Sequence, residues 1–329
     1  MVESVSTTSS AVDGAEVRAI ALLESASTVT VLCHVQPDAD TIGSGLALAL
    51  ALSRRGASVQ VSFSAPSELP ESMLDLPGMD FLVASDAVRA SVDLVVTVDC
   101  GSRGRLGSLG DRLDGAPHTL VIDHHKSNTH YGSDHLVDAA AESTTAVIAA
   151  LFDRWDVPLD RDIAHCLFAG LVTDTGSFRW VRPGSHHLAE RLLATGIDGA
   201  AIARRLLDTH PFGWLPMLGS VLASARLIAG AAHGLGLVYA VVTLADSRGL
   251  GSEEIESVID IVRTTKEAEV AAVFKQTETG WAVSLRAKSM VDVSEVAIVL
   301  GGGGHRFSAG YTAVGTIDDR VTALVSALG

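Results

Sequence analysis

Four short, nearly continuous apolar runs punctuate the first half of the chain: TVTVLCHV from Thr28, VQVSFS from Val59, DLVVTVD from Asp93 and TLVID from Thr119. Runs of this length, rich in β-branched residues, predict strands buried on both faces, the pattern of a parallel sheet. Apolar positions at helical spacing fall between and after them, over 15–25, 41–55, 104–113, 143–155, 160–172 and 185–207. The alternation predicts a doubly wound α/β domain, with Gly56 at a helix C-cap.

The stretch THPFGWLP from Thr209, with two prolines and a glycine, predicts the start of a connection between domains. Beyond it GLVYAVVTL, AEVAAVFKQT and WAVSLRAK read as strands, with helices near 252–264 and 291–300, the run GGGGHRFSAGY and a last helix. The expected organisation is a disordered tail over 1–14, a first domain over 15–208, a linker over 209–225 and a second, smaller α/β domain over 226–329.

Composition narrows the partners. Of 329 residues 47% are hydrophobic and only 5% aromatic, so the core is expected to pack from small aliphatic side chains. The formal net charge of -15 opposes long-range attraction to long DNA or an anionic membrane, leaving room for a local basic patch that grips a short anion. The most apolar stretch, GLALALALS, stops at Arg54, short of the roughly 18 residues of a membrane span. The leader MVESVSTTSSAVDG lacks the basic region and apolar core of a signal peptide. Cys33, Cys100 and Cys166 show no CxxC spacing; they read as small buried residues, and a cytoplasmic location is expected.

Ligands of an open parallel sheet collect beyond the carboxyl ends of its strands, so the side chains there form one set. His34 stands at the end of the first run with Asp38 and Asp40 after it, Asp99 ends the third, and Asp123 ends the fourth with His124 and His125 after it; Asp174 stands where a helical pattern breaks. Alone, each has an ordinary reading: PDAD suits a turn, and a strand-end Asp suits a helix cap. Brought together, Asp38, Asp40, Asp99 and Asp174 would repel one another, and two divalent cations would balance their four charges. His34 and His124 are then neutral imidazole ligands, and this oxygen-rich, thiolate-free set favours Mn²⁺ or a similar metal over structural zinc.

HVQPDAD, VVTVDCG, VIDHHKSN and GLVTDTGSF together resemble the motifs of the DHH phosphoesterase superfamily, and GGGGHRFSAG resembles its associated C-terminal domain, across residues 15–329. The chain is similar to the stand-alone bacterial nanoRNase/pAp phosphatases, including actinobacterial members that act as cyclic di-AMP phosphodiesterases. The resemblance implies that His34 and Asp38 hold one Mn²⁺, that Asp40, His124 and Asp174 hold another, and that Asp99 lies between them, with Mg²⁺ or Co²⁺ as substitutes. It also implies a supporting role for Asp123, contact of His125 with the phosphoryl group, and binding of substrate phosphate by Arg286 and His305. A glycine run at 301–304 weakens regular structure by about 0.5–1 kcal/mol per residue, so a close backbone approach is expected there, with N–H groups such as those of Gly302 and Gly303 cradling an anion. Lys288 and Arg306 read either as solvated charges or as further candidates for ligand contact, and Ser308 departs from the Ala common in the family motif.

The implied reaction is two-metal hydrolysis, in which a bridging water attacks phosphorus, His125 steadies the developing charge, and Arg286 and His305 act from the second domain. The implied substrates are short oligoribonucleotides, pAp, cyclic di-AMP and linear pApA, ending in AMP; a homodimer through the N-terminal domain is implied as well. A reading from another class, a metal-containing nucleotide-binding regulator without turnover, stays open at this point.

Overall fold

The computed structural model describes the backbone of residues 5–329 and the side chains from residue 14 onward. The chain divides into two units, Met1–Thr209 and His210–Gly329. In chain order the first unit contains α1 (Val5–Ser25), β1 (Thr28–Leu32), α2 (Ala39–Arg54), β2 (Ser58–Ser62), β3 (Leu94–Val98), β4 (His118–Asp123), β5 (Asp134–Val137), α3 (Thr144–Arg154), α4 (Arg161–Asp174), α5 (Ser185–Leu193) and α6 (Gly199–Leu207). Its strands form one parallel sheet in the order β2-β1-β3-β4-β5. The order reverses at β1, and such a switch point opens a crevice at the carboxyl ends of the strands.

Register brings the strand-end residues into line. Leu32 pairs with Thr97 and Val98 with Ile122, so continuing the pairing puts His34, Asp99 and Asp123 in one row. All five residues of β3 are buried, as its unbroken apolar run requires. Helix α2 is buried on nearly every side, which its GLALALAL run also requires, and Asp38 caps it by accepting from the N–H groups of Asp40 and Thr41. Helix α3 buries Val147, Ile148 and Leu151 in the core.

The second unit contains α7 (Trp214–Ala223), β6 (Arg226–Ile228), a short helical turn α8 (Ala231–Gly234), β7 (Leu237–Val242), α9 (Ser252–Val262), β8 (Val270–Gln276), β9 (Trp281–Ala287), α10 (Val293–Val299), β10 (Gly303–His305), β11 (Ser308–Ala313) and α11 (Ile317–Leu328). Its sheet runs β10-β11-β9-β8-β7-β6, parallel between β7 and β8 and antiparallel elsewhere. Leu237, Val270, Phe274, Leu285 and Leu324 build one core of this unit; Met217, Val221, Val258 and Ile259 belong to a second.

The structure differs from the sequence pattern in four places. Residues 104–113 lie in 3-10 turns broken at Gly107, because the three-residue spacing of Leu106 and Leu109 suits that winding and three glycines weaken an α-helix. The 185–207 pattern splits into α5 and α6 around Gly196, whose φ of 89° is left-handed. Most of the stretch expected as a linker is α7, whose Pro216 falls in the first turn, where proline is tolerated, and whose Met217 and Val221 are buried. Helix α1 begins at Val5, inside the expected tail, and residues 1–4 lie outside the described residues. No described helix is long and apolar enough to cross a membrane.

Candidate metal centre

Eight of the expected site residues gather at the carboxyl edge of the first unit's sheet. His34 is buried, and its Nδ1 lies 2.8 Å from the Val35 carbonyl and 3.1 Å from Arg105 Nη2. Nε2 is thereby turned toward Asp38 Oδ2 at 3.6 Å and Asp99 Oδ2 at 3.3 Å. A charge-assisted hydrogen bond would close to about 2.7–2.9 Å, whereas donors flanking a cation stand farther apart. Burial opposes charge on the His34 ring, but the facing Asp38 and Asp99 outweigh it and push its pKa to about 10. A proton thus occupies the position that a metal ion would take.

On the other side His124 Nε2 faces Asp99 Oδ1 at 3.5 Å and Asp174 Oδ2 at 3.3 Å. Burial holds His124 below its ordinary pKa, as a neutral ligand needs. The two oxygens of Asp99 therefore face different imidazoles. Its backbone makes this possible: φ is 56°, a left-handed conformation that Asp tolerates better than most residues. Thr144 Oγ1 donates to Asp99 Oδ1 at 2.9 Å.

Asp40 is fully buried at the N-terminus of α3. Its Oδ2 accepts the Thr144 N–H at 2.7 Å, and Oδ1 accepts the N–H and Oγ1 of Thr145 at 2.9 and 2.7 Å. These use three of about four acceptor positions on a carboxylate, leaving one on Oδ2. Burial and the neighbouring Asp99 and Asp38 raise the Asp40 pKa well above the usual range, so an added cation would relieve real repulsion. On α4, Gly170 leaves space for this carboxylate: a methyl there would lie 2.6 Å from Thr145 Cγ2 and Oγ1 and closer still to Asp40 Oδ1.

Asp123, the third member of the row, is buried. It accepts the backbone N–H of His124 at 2.8 Å, lies 2.7 Å from His125 Nδ1, and accepts from Asn128 Nδ2 at 2.6 Å. It thus orients the ring of His125. Burial opposes charge on His125, yet the Asp123 contact and Asp99 raise its pKa. Asn128, Thr144, Thr145 and Arg105 carry no role in the sequence reading; the signal for the threonines was the Ser-Thr-Thr cap before an apolar run. The three cysteines are buried and free, and burial raises each thiol's pKa, Cys100 to about 11.

Among the described residues, His34, Asp38 and Asp99 form one donor group compact enough to hold a metal ion, and Asp40, His124 and Asp174 form another, with ligand atoms within 4.8 Å of one another in each. Asp99, Asp123 and His125 form a further such group. The set is nitrogen and oxygen only, which suits Mn²⁺ or Mg²⁺.

The remaining expected residues lie in the second unit. Arg286 on β9 pairs with Ser308 on β11, and Ser308 pairs with His305 on β10, so the three share one row and one sheet face. The glycine run divides by role. A Cβ on Gly302 would lie 2.6 Å from Tyr311 Cβ, and one on Gly304 the same distance from Ala309 Cα, so both permit close packing of β11. A Cβ on Gly303 would meet nothing within 4 Å, leaving its surface open.

The comparisons agree with this architecture. The DHH family N-terminal domain matches residues 28–171, and the DHHA1 domain matches residues 234–328. A bifunctional oligoribonuclease and PAP phosphatase, NrnA, from Thermus thermophilus is 28% identical over 301 residues, covering 87% of this chain and 84% of its own. A probable enzyme of the same description from Streptococcus mutans is 27% identical, covering 88% and 91%. The solved structure of an exopolyphosphatase-related protein from Bacteroides fragilis shares the fold with a TM-score of 0.85 at 21% identity, over 96% of both chains. With its strand-end motifs in a DHH domain and its glycine run in a DHHA1 domain, the chain belongs to the DHH superfamily.

Proposed function

We propose that the protein is a hydrolase of short nucleotides, acting on oligoribonucleotides of a few residues, pAp, cyclic di-AMP and linear pApA to release AMP, with two Mn²⁺ ions as its cofactor. The observation that carries this reading is Asp99, whose two oxygens face two separate groups of metal-competent donors. The NrnA relatives, described as oligoribonuclease and PAP phosphatase, supply the substrate class. His34 and Asp38 would hold one ion and Asp40, His124 and Asp174 the other, with Asp99 shared. When bound, such a pair supplies Lewis-acid polarisation of phosphoryl oxygens and lowers the pKa of water.

The chain's own groups have distinct tasks in this reading. The Val35 carbonyl accepts the Nδ1 proton of His34, leaving the Nε2 lone pair for a metal. The α3 N-terminus and Thr145 fix Asp40. Asp123 favours the protonated His125 ring, which then offers positive charge to the phosphoryl group. In the second unit Arg286 and His305 bind substrate phosphate, with the open N–H surface at Gly303 available to an anion. A homodimer through the first unit belongs to the same reading and is tested by sedimentation.

The experiment is AMP release from pApA, pAp, cyclic di-AMP and two- to five-mer RNA, with Mn²⁺ and after chelation. Release that requires the metal is expected, and the relative rates rank the substrates. Binding of these ligands with no release in either condition would contradict the proposal and favour a nucleotide-binding regulator.

A further inference from the structure

The β10–β11 hairpin ends in a two-residue tip, Arg306–Phe307, closed by the pairing of His305 with Ser308. The tip is anchored through both residues: the Val293 N–H donates to the Arg306 carbonyl at 2.9 Å, and the Ala287 N–H donates to the Phe307 carbonyl at 3.0 Å. A tip held in this way presents its side chains at a defined place, which a free loop would not. What it presents is Phe307, a residue left 42% exposed, with the Arg306 guanidinium 5.1 Å from the ring centroid. Packing does not account for the ring. Ala309 and Tyr311, farther along β11, enter the core of the unit, and Phe307 does not.

The row that begins at the base of this tip is His305, Ser308 and Arg286. A nucleotide whose phosphate is held by that row places its sugar and base within reach of the adjoining hairpin tip. A planar guanidinium and an aromatic ring both stack on a nucleobase, and they do so with little regard to sequence because every base has a π-face. We infer that Arg306 and Phe307 form a stacking platform for one nucleobase of a short substrate, a specificity element of the second unit that favours base-bearing nucleotides over bare phosphoesters. The inference rests on the proposed function, since it takes Arg286 and His305 as the phosphate-binding groups.

The test compares a dinucleotide with the same compound made abasic at one or the other residue, using the full-length protein, Phe307→Ala and Phe307→Trp. For the unmodified protein, removing the base at one of the two positions should lower kcat/KM about tenfold, chiefly through KM. Phe307→Ala should bring that ratio close to one, and Phe307→Trp should preserve it. The inference is overturned if Phe307→Ala keeps the base preference, or if it weakens base-bearing and abasic compounds by the same factor. Isothermal titration of the same ligands into chelated protein reads the preference without turnover. A protein that hydrolyses nothing therefore contradicts the proposed function while the platform is still decided by the binding ratio.

Discussion

Gly170→Ala reaches the candidate metal centre without altering a proposed donor. The added methyl would stand 2.6 Å from Thr145 Cγ2 and Oγ1 and nearer to Asp40 Oδ1, all of them buried. Helix α4 packs closely on α2 where Gly43 meets the Cys166 carbonyl, so a retreat of α4 would open that contact. Overpacking of this kind costs about 1–3 kcal/mol, and the better helix propensity of Ala returns about 0.8–1 kcal/mol. A net loss near 1 kcal/mol lowers the melting temperature by about 2–4 °C for a unit of this size. The larger effect falls on metal binding, because Asp40 must yield its hydrogen bonds from the α3 N-terminus; affinity for Mn²⁺ should drop about 10–100-fold. The assay is calorimetric titration of chelated protein with Mn²⁺, alongside thermal unfolding with and without the ion. Ile148→Val, a buried change costing about 0.5–1.5 kcal/mol away from the donors, controls for stability alone. Wild-type Mn²⁺ affinity in Gly170→Ala would refute the reasoning.

Other consequences concern pH and supporting residues. His34 of the metal-free protein has a pKa raised to about 10, above its unfolded value of about 6.5, so its stabilising contribution is complete below pH 6.5 and is lost as pH rises toward 10. Chelated protein should therefore melt at a lower temperature at pH 9 than at pH 6.5, whereas Mn²⁺ affinity should rise over the same interval by up to about tenfold per pH unit for each proton displaced; affinity that is flat with pH would contradict this. Asn128→Ala removes a 2.6 Å hydrogen bond to Asp123 and should lower turnover about 10–100-fold and shift the pH profile through His125, with metal content unchanged. Thr144→Val removes the hydroxyl that positions Asp99 and should weaken Mn²⁺ binding, measured by the same titration, with normal affinity counting against the role given to Thr144.

Among the candidate site residues, His34, Asp99, Asp123 and His124 were legible because each stands where an apolar run ends, and parallel strands of similar length bring their ends to one edge. His34, Asp99 and Asp123 follow from that rule, and the register confirms the row. Thr144 and Thr145 do not, since a Ser-Thr-Thr cap looks the same whether its helix faces water or a buried Asp40. Asn128 lies inside the quoted VIDHHKSN motif, but its side chain reaches Asp123 only through the turn in which its N–H bonds the His125 carbonyl. The glycine run was legible as a close backbone approach, yet which surface it approached was not: Gly302 and Gly304 meet β11, a partner fixed by hairpin pairing, and Gly303 is left open. Periodicity misread 104–113 because leucines three apart serve a 3-10 winding as well as an α-helix.

The account turns on Asp99 being shared between two cations, and anomalous diffraction from Mn²⁺-soaked crystals measures that directly. Two Mn²⁺ peaks per chain are predicted, one among His34, Asp38 and Asp99 and the other among Asp99, Asp40, His124 and Asp174. A fully active protein showing one peak or none at these donors would contradict it.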